Sequence, residues 1–121
     1  MEETGVDLLA PAVGNFHGML KGGSDPTLNI PRIKAIYEAV GIPLVLHGGS
    51  GNSNEDFQKA IKAGMPIIHT NTELRVAYRK GVMLGIENNP DEVVPYKFMK
   101  EAMLDVEKVV EAKLKTFNFI S

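Results

Sequence analysis

The stretch PLVLHGGSG, Pro43–Gly51, decides the fold. Its apolar run Leu44, Val45 and Leu46 has no polar residue at alternate positions, which is the pattern of a short strand buried on both faces of a parallel sheet. That strand delivers His47 straight into a turn of three glycines and one serine. Such a turn lets backbone N–H groups come close to an anion. Taken alone, the stretch also fits a buried histidine followed by a flexible loop.

Working outward, the neighbouring segments alternate in the same way. Val6–Gly14 (VDLLAPAVG) reads as a preceding strand despite Pro11, and Gly22–Pro26 (GGSDP) reads as a turn. Ile30–Val40 carries Ile33, Ile36, Tyr37 and Val40 at helical spacing, with Pro31 suited to a first turn and Gly41 to a stop. After the glycine turn, Ser53 and Asn54 are candidate N-caps, and Glu55 and Asp56 favour the positive helix end. Phe57, Ala60 and Ile61 mark a buried helix face that ends at Gly64. Met65–Thr70 (MPIIHT) is a third strand, followed by a helix from about Thr72 to Asn88. A last helix is expected over Pro95 to Lys115, with Phe98, Met99, Ala102, Met103, Val106 and Val109 on one side. Met99 and Met103 read as core filler there. Strand and helix in strict alternation mean an α/β fold of parallel βα units.

Composition narrows the function classes. The chain has 121 residues, 44% hydrophobic and 23% charged, with a formal net charge of -2. That suits one globular domain or part of one, here 1–121 as a single unit. No basic excess marks a nucleic-acid partner, and no apolar run approaches the roughly 20 residues of a membrane span. Cysteine is lacking, so disulfides and thiolate metal sites are excluded. No signal-peptide or transit pattern is visible, and a cytoplasmic location is the expectation.

In parallel βα folds the chemistry gathers where strands end and helices begin. The three histidines of the chain all fall there: His17 after the first strand, His47 after the second, His69 after the third. Any one alone is more readily a packed or solvated residue than a ligand. Three at one sheet edge suggest a metal, because neutral imidazoles are the commonest protein ligands of Zn²⁺. The Gly48, Gly49 and Ser50 amides and the following helix start form an anion cradle, with a second donor group in Thr70, Asn71 and Thr72. Metal plus phosphate is the chemistry these positions suggest.

The segments PAVGNFHGM, PLVLHGGSG and IIHTNTELR, in this order and spacing, resemble the C-terminal part of class II, metal-dependent fructose-bisphosphate aldolases and the related tagatose-bisphosphate aldolases. The resemblance runs from Gly5 to the terminal FNFIS. It implies a TIM barrel whose sixth, seventh and eighth strands these are. It also implies reversible aldol cleavage of fructose 1,6-bisphosphate to dihydroxyacetone phosphate and glyceraldehyde 3-phosphate, a step of glycolysis. By resemblance, His17 and His47 are zinc ligands. Gly18, Gly48, Gly49 and Ser50 bind the substrate phosphate and a neighbouring monovalent cation, Na⁺ or K⁺. His69, Thr70, Asn71 and Thr72 contact the same phosphorylated ketose, and Arg75 matches a position associated with its other phosphate. Zinc would polarise the substrate ketone and stabilise the enediolate after C–C cleavage.

Two positions depart from the family pattern. Asn is usual where this chain has His69, so the imidazole is expected to contact substrate, with metal ligation as the alternative. Many fructose-specific members have Asp where this chain has Asn71, which leaves tagatose bisphosphate open as substrate; Arg75 leans towards fructose. The third zinc ligand, carried in an HxDH-like segment, and the catalytic acid and base have no counterpart here. They are expected in a missing N-terminal part, and the isolated chain is expected to be inactive. A barrel needs about eight strands to close. The expected partners are therefore that missing segment or a second copy, with a homo-oligomer once the barrel is complete. A non-catalytic phosphate- or metal-binding interaction module is the alternative function.

Overall fold

A computed structural model of the chain describes residues 3–16 and 27–120. The fold consists of two compact units, Met1–Thr70 and Asn71–Ser121.

In the first unit, helix α1 spans Ile30–Val40. Its start is fixed by the Asn29 side chain, which accepts from the Arg32 amide at 3.0 Å, and by a proline in the first turn. Its end is fixed by Gly41 in the left-handed conformation at φ 68, whose N–H donates to the Tyr37 carbonyl at 2.9 Å. Strand β1, Val45–Leu46, follows, then helix α2, Asn54–Lys62, and strand β2, Ile67–Ile68. β1 and β2 are parallel, with Val45 opposite Ile67 and Leu46 opposite Ile68. On the other side of β1, Leu9 forms a parallel bridge with Leu44. The core gathers around β1: Leu44 and Leu46 are fully buried, together with Val13, Ile33, Phe57, Ala60 and Met65. The continuous apolar run of the sequence thus does mark a strand buried on both faces.

The first expected strand, Val6–Gly14, shortens to that single bridge. Leu9 is held by two backbone bonds, its N–H to Pro43 at 3.3 Å and its carbonyl from Val45 at 2.8 Å. Two residues on, Pro11 has no N–H to give a ladder. The Val13 carbonyl then accepts from Asn29 at 2.8 Å, not from a strand. Val6 and Leu8 are 44% and 48% exposed. The expected Gly22–Pro26 turn lies outside the described residues.

The second unit is helical: α3 spans Thr72–Asn88, α4 Pro95–Phe98 and α5 Lys100–Phe117. α3 and α5 run antiparallel. Glu73 at the start of α3 pairs with Lys113 near the end of α5 at 2.8 Å, while Gly81 and Gly85 meet Ala102 and Phe98. Ala77, Gly81 and Gly85 are the buried residues of α3, a stripe of small side chains that lets the α5 backbone approach closely. The single expected last helix is broken at Met99, where φ −82 and ψ 0 separate α4 from α5. Met103 is 67% exposed, so it is not core filler; Ala102 is the buried residue of that turn. Among the described residues no helix is long and apolar enough to cross a membrane.

Candidate functional site

Parallel register settles where two of the three histidines lie. With Leu46 opposite Ile68, the next residue on each strand is a histidine. Residues at matched positions on adjacent strands project to the same side of a sheet. His47 and His69 accordingly touch, their ring centroids 4.5 Å apart and their planes at 87°. Both are exposed, and the His69 amide donates to the Leu46 carbonyl at 2.9 Å. His17 and Gly18 lie outside the described residues. Among the described residues no three His, Cys, Asp or Glu side chains converge in a way that could hold a metal ion.

The glycine turn has the backbone expected of an anion cradle. Gly48 and Gly51 adopt φ 65 and φ 102, conformations that a side chain would strain. The amides of Gly48, Gly49 and Ser50 donate no hydrogen bond to any described residue. Ser50 is only 4% exposed. Three consecutive amides without a protein partner are unusual in a folded chain, where most buried amides are satisfied. Gly49 is held from behind: a Cβ there would stand 3.1 Å from the buried Phe57 ring and 3.5 Å from the His69 carbonyl. α2 begins just beyond, but its first turn is already used. Ser53 accepts from the Asp56 amide at 3.1 Å.

Asn15 is a functional residue that the sequence reading missed. Its Nδ2 donates to the His47 carbonyl at 2.8 Å while its Oδ1 accepts from the Val13 amide at 2.8 Å. One side chain therefore clips the end of the Leu9 segment to the end of β1. A cleft of about 350 Å³ lies beside it, lined by Ala10, Pro11, Ala12, Asn15 and His47. The only signal in the sequence was an amide side chain two residues from His17.

Thr70 closes the first unit, with its amide unpaired among the described residues. The other expected contacts belong to the second unit. There Asn71 sits at the start of α3 with φ −143 and ψ −48 and makes no side-chain capping bond. Thr72 begins the helix, and Arg75 is exposed one turn on. A helix of 17 residues whose first turn lacks a side-chain cap keeps the partial positive charge of its N-terminus available.

The first unit is thus an α/β arrangement whose two parallel strands end in His47, with its glycine turn, and in His69. Comparison with known proteins makes that specific. The family model "Fructose-bisphosphate aldolase class-II" matches residues 1–120, and the chain belongs to this family. A fructose-bisphosphate aldolase of Staphylococcus epidermidis is 39% identical over 118 residues, 98% of this chain and 41% of that protein. Among solved structures, the YdjI aldolase of Escherichia coli K12 superposes with a TM-score of 0.76 at 36% identity, covering 96% of this chain and 41% of that one. Fructose-bisphosphate aldolase from Campylobacter jejuni shares the fold, with a TM-score of 0.72 at 21% identity over 92% of this chain and 39% of its own. The chain thus spans about two-fifths of the length of these relatives.

Proposed function

We propose that residues 1–121 form one partial TIM-barrel domain, the segment with the sixth to eighth strands of a class II fructose-bisphosphate aldolase. The completed barrel cleaves fructose 1,6-bisphosphate reversibly to dihydroxyacetone phosphate and glyceraldehyde 3-phosphate. The run of unpaired amides from Gly48 to Ser50, placed beside His47, carries this reading. It offers a phosphate three donors with no competing partner, at the sheet end where such barrels bind phosphate.

The donors present suit a Zn²⁺-class ion in kind, since His47 is an exposed imidazole at the same edge. They do not suffice in number, so His47 would hold the ion together with His17 and a ligand from the rest of the barrel. When bound, such an ion supplies Lewis-acid polarisation of the substrate ketone. The chain's own residues do the positioning. Gly48, Gly49, Ser50 and Gly18 grip one phosphate and with it a Na⁺ or K⁺ ion. Thr70, Asn71 and Thr72 contact the ketose, and Arg75 attracts its second phosphate. Holding the phosphate fixes the reacting carbons and removes the entropy cost of finding them, which can be worth up to roughly 7–11 kcal/mol. The acid and base come from the missing part, so the chain alone is inactive.

The test is complementation. The chain is mixed with the remaining portion of a relative's barrel, and cleavage of fructose 1,6-bisphosphate is assayed with and without EDTA. EDTA-sensitive activity in the mixture, absent from either part, supports the reading. Stable phosphate binding with no activity under any pairing would instead point to a binding module.

A further inference from the structure

The geometry points to His69 as a second imidazole donor to the ion that His47 holds, making the two adjacent strand ends a two-histidine chelate for a divalent transition metal. This rests on the reading of His47 as a metal ligand. It follows from the register rather than from spacing in the sequence. Leu46 faces Ile68 across the parallel pair, so both imidazoles leave the sheet at the same level and on the same side. Their centroids are 4.5 Å apart. Two imidazoles sharing an ion at the usual N–metal distance of about 2.0–2.1 Å stand with centroids roughly 5 Å apart, close to the separation here. The rings meet edge to face at 87°, so one of them turns about its side-chain bonds to aim a nitrogen at the shared ion. No described residue hydrogen-bonds either His69 ring nitrogen. The strand below is firm, with the His69 amide tied to Leu46 and β1 buried.

The donor type decides the class of ion. Neutral imidazoles favour Zn²⁺, Co²⁺, Ni²⁺ and Cu²⁺ over Mg²⁺ and Ca²⁺, which prefer oxygen ligands. The experiment titrates Co²⁺ into the full chain and into His47→Asn, His69→Asn and His69→Gln, using competition with a chelating dye and the visible absorption of bound Co²⁺. Circular dichroism checks that each variant keeps its fold. The expected result is affinity reduced at least tenfold in both His69 variants, with a changed Co²⁺ spectrum, and a comparable or larger loss in His47→Asn. Wild-type affinity and spectrum in the His69 variants, with binding lost in His47→Asn, would overturn the chelate and leave the reading of His47 intact. Failure of the wild-type chain to bind Co²⁺, or binding indifferent to His47→Asn, would overturn both.

Discussion

At the scale of single residues, Asn15 and Gly49 show how the site is held in place. Asn15 uses both ends of its amide, and an Asn15→Ala change removes two hydrogen bonds at once. Each is worth about 0.5–1.5 kcal/mol net, so a loss of about 1–3 kcal/mol in denaturant unfolding is expected. If His47 depends on this clip, Co²⁺ affinity falls as well; unchanged affinity in a folded variant would show that the clip serves stability only. Gly49 has a different constraint. Its backbone is not left-handed, but a methyl group at 3.1 Å from the Phe57 ring must push a fully buried side chain. Gly49→Ala is expected to cost roughly 1 kcal/mol and to disturb the neighbouring amides. The two glycines and the serine were legible in the sequence because their chemistry is carried by residue type. Asn15 was not, because its role depends on a carbonyl 32 residues away.

At the scale of elements, helices proved more legible than strands. α1 and α3 have the bounds read from the sequence, since periodicity and caps are local signals. The strands shrank because their length is set by partners: the Leu9 segment stops where Pro11 and Asn29 end its pairing. The two helix starts that follow the strands make opposite predictions. Ser53 caps α2, so Ser53→Ala should cost about 1 kcal/mol, whereas Asn71 caps nothing, so Asn71→Ala should cost much less. Equal losses in thermal unfolding would contradict that difference. In the same α2 turn, a hydrogen bond from Lys59 holds the exposed Glu55 carboxyl below the ordinary carboxylate range. A lowered folded value means that the pair stabilises the helix above the unfolded Glu pKa and loses this as pH falls through the folded value. Glu55→Gln should therefore flatten the acid side of the stability profile slightly. α3 gives the sharpest case. A Cβ on Gly85 would fall within the Phe98 carbonyl, and one on Gly81 would strike the Ala102 backbone. Alanine gains at most about 1 kcal/mol of helix propensity, while overpacking against a rigid backbone costs roughly 3 kcal/mol or more. Either Gly→Ala variant should separate α3 from its helical neighbours, seen as lost protection of α5 amides in hydrogen exchange.

For the whole molecule, the unmet need of the sheet is what the sequence could state only as an expectation. A barrel avoids edges by closing, and the described strands do not close: β2 pairs with β1 alone, and the Leu9 segment pairs through a single bridge. Val6 and Leu8, both just before that bridge, are apolar and nearly half exposed. Burying a wholly exposed side chain of this kind is worth about 1.5–3 kcal/mol; with each already half covered, the two together supply about 1.5–3 kcal/mol towards a partner that pairs along this edge. Relatives about two and a half times as long have sequence to supply that cover. The isolated chain at tens of micromolar is accordingly expected to self-associate in light scattering and to bind an apolar dye such as ANS. Leu8→Lys should suppress both, because a charge on an exposed edge discourages pairing. Adding the complementary barrel portion should suppress both in the unmodified chain, by occupying the same edge. A monodisperse monomer that ignores the dye would mean that Val6 and Leu8 need no cover, and the edge would then have no claim on a partner.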